Sequence, residues 1–178
     1  MSLKVLILQP MNDLSWLSRT SLLIGENALF SLTQKHVLIV GMGGVGSFAA
    51  EFIARSGVGE MTIIDGDVVD PTNRNRQLPA LSTNHGVAKV EIMADRIRAI
   101  NPEIKLHTIC EFVNPERVAS FFTVQPDFII DTIDSITPKI TFIRSAFERK
   151  IPLVSSMGAG AKVDPTRLRV ADISETYQ

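Results

Sequence analysis

A glycine-rich hexapeptide, Gly41-Met42-Gly43-Gly44-Val45-Gly46, is the part of the sequence best suited to bind a charged ligand. It follows the apolar, β-branched run 36–40 and precedes a stretch of good helix formers that ends at Gly57. In such a strand-to-helix turn, glycines adopt backbone angles closed to other residues and let a phosphate approach the amides at the helix N-terminus. The candidate phosphate-binding residues are Gly41, Gly43, Gly44 and Gly46. The alternative is a tight turn that is glycine-rich only for packing.

Asp65 lies 19 residues after Gly46, at the end of the next apolar segment, 61–64. A carboxylate at this place can accept hydrogen bonds from the hydroxyls of a ribose. A strand before the turn, a helix after it and an acid at this distance together predict a nucleotide site. Asp67 is a weaker candidate, because an additional acid in a loop is usually solvated.

The glycine pattern alone leaves the nucleotide undecided, because NAD-dependent dehydrogenases share it. Downstream, the loop 73–76 carries Asn73 and Arg76, and Lys89 opens the next helical stripe. A lysine in the first turn of a helix faces the positive end of the helix dipole, which is unfavourable unless an anion compensates it. A triphosphate would supply that anion. The alternative for Lys89 is that it points into water.

The fourth apolar segment, 128–130, ends in Asp131-Thr132-Ile133-Asp134. An aspartate at the carboxyl edge of a parallel sheet can hold Mg²⁺ on phosphate oxygens through one carboxylate and several waters. We expect Asp134 to bind the metal. We expect Asp131 or Ser135 to cap the helix that follows, over 138–149.

Strand and helix patterns alternate along the chain, which predicts an α/β fold: a Rossmann-like, mostly parallel sheet with helices on both faces. Residues 1–34 are interpreted as an N-terminal helical arm and residues 35–178 as one nucleotide-binding domain. A short helix is expected over 113–122. Alternating apolar residues in 162–172 predict additional antiparallel strands near the C-terminus.

Composition narrows the functional classes only slightly. The 178 residues include 18 basic and 19 acidic side chains, so the net charge of −1 does not indicate a nucleic-acid surface. The single cysteine, Cys110, cannot form an intrachain disulfide, and we expect it to be a small buried hydrophobe near a strand end. No apolar stretch is long enough for a membrane segment, and the start lacks a secretory pattern, so we expect a cytoplasmic protein.

Several motifs in series resemble the ubiquitin-activating-type (ThiF/MoeB-like) family of adenylating enzymes, and the resemblance runs from Arg19 to Asp172. The motifs are 41–46, 64–67, 72–77, 86–89, 101–102 and 131–134. Within that family, segments 18–20, 22–26, 43–47, 54–59, 131–135 and 150–154 are most similar to the subgroup of tRNA threonylcarbamoyladenosine dehydratases. That subgroup continues well past this length, so we expect a C-terminal part of the family to be missing.

The resemblance implies an ATP-dependent enzyme that uses Mg²⁺ and adenylates the threonylcarbamoyl carboxylate of a modified adenosine in tRNA. It also implies a homodimer, since the family supplies an arginine to the phosphates from the neighbouring subunit. The implied roles are ribose for Asp65, phosphates for Asn73 and Arg76, α-phosphate for Lys89, magnesium for Asp134, and the arginine across the interface for Arg19.

Two other functions remain open from the sequence. The first is adenylation of the C-terminus of a ubiquitin-like sulfur-carrier protein, although the Cys-x-x-Cys pairs of those enzymes do not occur in this sequence. The second is a non-catalytic nucleotide-binding or NAD-binding module. The three histidines, His36, His85 and His107, lie in unrelated places, so no Ser-His-Asp or Cys-His set is indicated.

Overall fold

The computed structural model describes residues 13–176 and shows one five-stranded parallel sheet with the strand order β3-β2-β1-β4-β5. The strands are β1 (His36–Val40), β2 (Glu60–Ile64), β3 (Lys105–Ile109), β4 (Phe128–Asp131) and β5 (Leu153–Ser155). The order reverses between β1 and β4, because β2 and β3 continue on one side of β1 and the later strands on the other. In open α/β sheets, ligands bind beyond the carboxyl ends of the strands at such a reversal.

Helices cover both faces of the sheet, as predicted. On one face, α3 (Gly46–Ser56) and α4 (Lys89–Ile100) pack on β1 and β2. On the other face, α5 (Ile136–Glu148) packs with the 3-10 helix Val118–Phe122. Because successive strand residues point to opposite faces, all five residues of β1 are buried. The Rossmann-like α/β prediction is confirmed.

The N-terminal segment is helical where the structure describes it. A 3-10 helix, Ser15–Leu17, leads into α1 (Ser18–Ile24), and α2 (Glu26–Leu32) follows after a break at Gly25, whose φ is +84°. The buried side chain of Leu17 packs on Gly57 at the C-terminal end of α3. Residues 1–12 of the expected arm lie outside the described residues, and the division of the chain at residue 34 stays a prediction.

The antiparallel strands expected near the C-terminus are not found in the described residues. Instead, 3-10 turns occupy Pro165–Arg167 and Ile173–Glu175. The carboxylates of Asp164 and Asp172 accept hydrogen bonds from the backbone two residues onward. These local bonds favour turns over sheet pairing. The alternating apolar residues of this segment are therefore exposed rather than placed on one face of a sheet.

Two smaller expectations are corrected. The helix expected over 113–122 is limited to the 3-10 helix Val118–Phe122. Cys110 is exposed, not buried. It lies one residue beyond the end of β3, which is the edge strand of the sheet and has no fully buried residue. No helix formed by residues 13–176 is long and apolar enough to cross a membrane.

Glu51 of α3 connects the two helices on the first face. Its carboxylate accepts hydrogen bonds from Arg55 of the same helix (2.8 Å to Nη2) and from Arg96 of α4 (3.1 Å to Nη2). The hydrogen bond from Arg96 is the main reason that the pKa of Glu51 lies below its usual value of 4.5. The carboxylate thus stabilises the fold fully above pH 4.5, and this stabilisation is lost as the pH falls through the lower, folded pKa.

We expect Glu51→Gln to lower the free energy of unfolding at pH 7 by about 1 to 2 kcal/mol, because one charge-assisted link between α3 and α4 is lost. Urea unfolding of the variant and the wild type at stepped pH measures the difference. The deficit should shrink as the pH falls below 4.5. Glu111→Gln, which removes an exposed partner of Arg117, is the control and should change stability little. A stability deficit that did not shrink at any pH below 4.5 would contradict the role of the ionised Glu51 carboxylate.

Candidate functional site

Two glycines of the turn between β1 and α3 are required by packing. Gly41 has a φ of +91°, and a Cβ there would lie 2.7 Å from Oγ1 and 2.9 Å from the carbonyl oxygen of Thr132. At Gly46, the first residue of α3, a Cβ would overlap the carbonyl oxygen of Gly41. The hydroxyl of Thr132 donates to the carbonyls of Val40 (2.8 Å) and Gly41 (2.9 Å). These contacts bring the carboxyl ends of β1 and β4 together.

The other two glycines are not required by packing. A Cβ at Gly43 would lie 3.9 Å from the side-chain nitrogen of Gln77, and a Cβ at Gly44 would lie 3.5 Å from Cγ of Arg76. Both are ordinary contact distances, and neither residue has a positive φ. The fold would accept alanine here, so the missing side chains leave the backbone open to a ligand. The structure therefore separates the four predicted glycines into two that shape the turn and two that expose it.

Asp65, at the end of β2, fixes the glycine turn through its carboxylate. Its Oδ2 accepts the backbone N–H of Met42 (2.5 Å), and its Oδ1 accepts that of Asp67 (2.7 Å). Burial raises the pKa of Asp65, although these two hydrogen bonds and the nearby Lys89 oppose the shift. A carboxylate offers about four acceptor positions. Two are used by the backbone, so Asp65 retains acceptor capacity for ligand hydroxyls.

Lys89 begins α4 and is 3% exposed. Its Nζ donates to Oδ2 of Asp67 at 2.9 Å, and its backbone N–H donates to the carbonyl of the same residue at 3.0 Å. The alternative that Lys89 points into water is therefore wrong. Asp67 is not merely solvated either, although 53% of its side chain is exposed. The anion that compensates Lys89 at the helix N-terminus in this structure is Asp67.

Asn73 and Arg76 lie in and directly after the 3-10 helix Pro71–Asn75. The helix begins with a capping box, in which Asn73 Oδ1 accepts the N–H of Asp70 (3.0 Å) and the carboxylate of Asp70 accepts that of Thr72 (2.8 Å). This local structure places the side chain of Arg76 against Gly44. Arg76 is exposed, and its Nη1 donates to Asn75 Oδ1 at 2.9 Å. It is thus an exposed cation beside the open part of the turn.

Asp131 does not cap α5, so the expectation that Asp131 or Ser135 caps this helix is wrong for Asp131. It is fully buried, and its Oδ2 accepts hydrogen bonds from Lys139 Nζ (2.7 Å) and Ser155 Oγ (2.6 Å). Asp131 is the last residue of β4 and faces the interior, where Lys139 of α5 neutralises it. Ser135 occupies the N-cap position, but its side chain makes no capping hydrogen bond to the described helix.

Asp134 is exposed at the same edge, two residues after Thr132. The hydroxyl of Ser135 donates to its Oδ1 over 3.4 Å. Residues 13–176 contain no group of three or more His, Cys, Asp or Glu side chains that could hold a metal by themselves. A magnesium ion at Asp134 would therefore depend on ligand phosphates and water, which is a usual arrangement for this ion.

Arg19 does not lie near the other candidate site residues. It is exposed on α1, two residues from Leu17, which packs at the C-terminal end of α3. The glycine turn lies at the opposite end of this helix of 11 residues, about 16 Å away at 1.5 Å per residue. The structure thus gathers the turn, Asp65, Asp67, Arg76, Lys89 and Asp134 at one edge of the sheet and leaves Arg19 near the other.

Sequence reasoning did not find Thr132 and Lys139 as parts of the site. Thr132 belongs to the motif 131–134, in which the two aspartates carry the recognisable chemistry. Lys139 carried a usable signal: it lies on the buried stripe of α5, three residues before Phe142 and seven before Ala146. A lysine on an apolar helical stripe predicts a buried partner of opposite charge.

The comparison with family models matches residues 17–178 to the ThiF family. The chain belongs to this family. It is 48% identical to the tRNA threonylcarbamoyladenosine dehydratases of Escherichia coli K12 and of Bacillus subtilis 168. These matches cover 89% and 90% of the chain but only 59% and 63% of the relatives. The chain therefore spans about three fifths of the length of these curated relatives.

The structure is also similar to the crystal structure of E. coli tRNA N6-threonylcarbamoyladenosine dehydratase, TcdA, in complex with ATP. The TM-score is 0.88 at 46% sequence identity, over 92% of this chain and 67% of that one. The likeness to this subgroup, inferred from the motifs, is confirmed by sequence and structure.

We expect Lys139→Met to lower the free energy of unfolding by about 3 to 5 kcal/mol, because it leaves Asp131 charged and buried without a partner. The matched control is Arg144→Ala on the same helix, which breaks the exposed pair with Glu148 and should cost about 0.5 kcal/mol or less. Urea unfolding at pH 7 measures both. A loss below about 1 kcal/mol for Lys139→Met would show that the pair does not hold the β4–α5 connection.

Proposed function

We propose that this chain is the ATP-binding adenylation part of a tRNA threonylcarbamoyladenosine dehydratase. The observation that carries the proposal is the assembly of an open glycine turn, an acceptor for ribose and two cations at the switch point of the sheet. The turn is joined to Asp65, Asp65 to Asp67, and Asp67 to Lys89, by consecutive hydrogen bonds. Such an assembly fits a nucleoside triphosphate, whose phosphates need both the turn and the cations.

In the proposed reaction, an oxygen of the threonylcarbamoyl carboxylate attacks the α-phosphorus of ATP, and pyrophosphate leaves. The acyl-adenylate then closes onto a nitrogen of its own side chain, which breaks the acyl–oxygen bond and releases AMP. The modified adenosine has lost one water in sum. Negative charge grows on the phosphoryl oxygens in the first step, so fixed cations lower its barrier without any protein nucleophile.

Lys89 and Arg76 are the cations proposed for this role. Lys89 is buried, so its charge acts in a medium of lower effective dielectric than water. The phosphate chain would share Lys89 with Asp67, whose exposed carboxylate can turn towards solvent. Arg76 would close over the phosphates from beside Gly44, and Asn73 would contribute its amide.

Asp134 is the proposed magnesium ligand. Its exposed carboxylate lies at the edge that carries the turn, and Mg²⁺ is commonly held by one or two carboxylates together with phosphates and water. Bound there, the ion would neutralise charge on the phosphate oxygens.

The proposed assembly is a homodimer in which Arg19 acts across the interface. The support for this proposal is the position of Arg19. It lies near the C-terminal end of α3, whereas the glycine turn of the same chain lies at the N-terminal end. A second copy could present it from outside.

The substrate proposal rests on the 48% identity to enzymes that are named for the modified tRNA base. The cytoplasm, where a bacterial cell holds its tRNA, is the proposed location of this reaction. The competing proposal is adenylation of a carrier protein, and the exchange assay compares the two substrates.

We expect Arg76→Ala and Lys89→Met each to reduce ATP–pyrophosphate exchange by about 10²-fold or more, because each removes a cation from the charge that forms in the transition state. Exchange is measured with radiolabelled pyrophosphate in the presence of tRNA bearing threonylcarbamoyladenosine. Arg74→Ala is the matched control, since Arg74 is an exposed arginine of the same 3-10 helix. Circular dichroism confirms that the variants fold.

Nucleoside mass analysis of the same tRNA should show the loss of one water only when ATP is present. Wild-type exchange rates in both variants would refute the roles of Arg76 and Lys89. If a carrier protein with a C-terminal Gly-Gly stimulated exchange and tRNA did not, the carrier protein would replace tRNA as the proposed substrate. Thermal stabilisation by NAD and not by ATP with Mg²⁺ would favour a dinucleotide-binding module instead.

Mixing two inactive variants tests the proposed dimer. Arg19→Ala and Lys89→Met should each be inactive, and an equimolar mixture should regain about a quarter of wild-type activity. Random exchange makes half of the dimers mixed, and one of the two sites in each mixed dimer is then intact. A mixture no more active than its components would show that Arg19 does not act in the neighbouring site.

A further inference from the structure

Three basic side chains lie close together in the segment after β5: Lys162, Arg167 and Arg169. All three are exposed, and none of them forms an ion pair with an acidic side chain of residues 13–176. Segment 162–169 contains one acid, Asp164, so three basic side chains and one acidic give it a net charge of +2. The whole chain carries −1. A local positive charge is thus present in a chain that is slightly acidic as a whole.

The single acid of this segment is used by its own turn. The carboxylate of Asp164 accepts hydrogen bonds from the backbone N–H of Thr166 at 3.1 Å and from its hydroxyl at 2.6 Å. These bonds cap the 3-10 helix Pro165–Arg167. Asp164 therefore stabilises the local backbone and does not pair with the neighbouring cations.

Exposed arginines elsewhere in the molecule have partners. Arg98 of α4 pairs with Asp95, and Arg144 of α5 pairs with Glu148. Such pairs offset charge on the helical surfaces and leave little field for a charged ligand. The segment 162–169 differs from these surfaces, because its cations have no acid to offset them in the part of the chain that the structure describes.

The segment leaves the sheet at the edge that carries the candidate site. β5 ends at Ser155, beside Asp131 of β4, and the N–H of Ser156 donates to the carbonyl of Asp131 at 2.8 Å. The strands β1, β4 and β5 are consecutive, so the carboxyl end of β5 lies about 10 Å from that of β1, where the glycine turn begins. Lys162 follows Ser155 by seven residues, which span at most about 25 Å. The cations therefore lie near the site, on the side of β5.

The proposed substrate is a polyanion far larger than ATP. RNA carries a negative charge on every phosphate, and proteins bind such backbones largely through Lys and Arg side chains. In the proposed reaction, the phosphates of ATP occupy Arg76 and Lys89, so the phosphates of the RNA need other cations at this edge. We infer that Lys162, Arg167 and Arg169 form a docking surface for the sugar-phosphate backbone of the tRNA substrate. The inference rests on the proposed function and adds to it the surface that holds the RNA.

Backbone contacts of this kind have a measurable signature. Binding a phosphate releases counterions, so the logarithm of the association constant falls linearly with the logarithm of the salt concentration. Each contact contributes about 0.7 to 0.9 to that slope. Loss of three contacts should therefore make the slope shallower by about 2, and should do so for any RNA sequence.

The triple variant Lys162→Gln, Arg167→Gln, Arg169→Gln tests the surface in the full chain. The probe is tRNA bearing threonylcarbamoyladenosine, and fluorescence anisotropy measures its binding between about 0.05 and 0.2 M salt. We expect binding at the lowest salt to weaken about tenfold or more and the salt slope to become shallower by about 2. The affinity for ATP should stay within about twofold of wild type. The same tRNA without the modification should lose as much affinity, because the phosphates are common to both.

A second triple variant, Arg98→Gln, Arg144→Gln, Lys150→Gln, is the matched control. It changes the net charge by the same amount, and its three side chains are exposed on α4, on α5 and directly after α5. We expect its tRNA affinity and salt slope to stay within about twofold of wild type. A contact surface is thereby distinguished from an effect of overall charge.

Trypsin gives an independent readout on the wild-type chain, because it cleaves after each of the three cations. Bound tRNA should slow cleavage after Lys162, Arg167 and Arg169, as measured by mass analysis of the fragments, and ATP alone should not. An unrelated peptide in the same tube should be cut at an unchanged rate. Unprotected cleavage at all three positions in the presence of saturating tRNA would overturn the inference.

The binding experiments separate this inference from the proposed function. Wild-type tRNA affinity and salt slope in the first triple variant would overturn the inference alone, because ATP binding and pyrophosphate exchange do not depend on these side chains. Weaker binding of the modified tRNA only would also overturn it, since the cations would then contact the modified base. If an acidic carrier protein bound through the three cations and tRNA did not bind at about 0.05 M salt, both the surface for RNA and the tRNA substrate would be overturned.

Discussion

The close approach of α3 to the end of β1 is the constraint on which the candidate site depends. Gly46 lies so near the carbonyl of Gly41 that any side chain would separate the helix from the strand. Thr132 closes the same junction from β4. The side chain of Met42 is fully buried in the core, while its N–H is bound by Asp65. With the turn held at each of these points, the backbone at Gly43 and Gly44 is left half-buried, with the exposed Arg76 beside it.

Two lysines near this edge are paired with aspartates. The pairs differ in how far the aspartate is exposed, and this difference separates a structural pair from one that a ligand can open. Lys139 and Asp131 are both buried, so their charges are removed from water permanently, and breaking the pair would strand one of them. Lys89 is equally buried, but its partner Asp67 is half exposed. An anionic ligand can displace a half-exposed carboxylate at little desolvation cost. The first pair therefore maintains the β4–α5 connection, and the second leaves a cation available for exchange.

The sequence predicted the fold well, because the fold depends on patterns that repeat along the chain, whereas the assignment of the site residues stays a prediction. Strand and helix periodicities gave the parallel sheet, and the glycine spacing located the turn. Which residues contact each other could not be predicted. The pairing of Lys89 with Asp67 joins positions 22 residues apart, and the burial of Asp131 depends on α5 folding back over β4. The prediction of antiparallel strands near the C-terminus was wrong for a related reason. Alternating apolar residues indicate a strand only where a neighbouring strand is available to pair with it.

The asymmetry of the candidate site bears on the proposed homodimer. The glycine turn, the segment from Asp65 to Lys89 and Asp134 follow β1, β2 and β4, respectively, and lie at one edge of the sheet. Arg19 alone belongs to an element that packs at the other end of α3 through Leu17. Rotation of α1 cannot bring it to the glycine turn, because the length of α3 separates them and Leu17 is anchored in the core. The proposed delivery from a neighbouring subunit needs no such rearrangement, so the packing of the arm is compatible with the proposed homodimer.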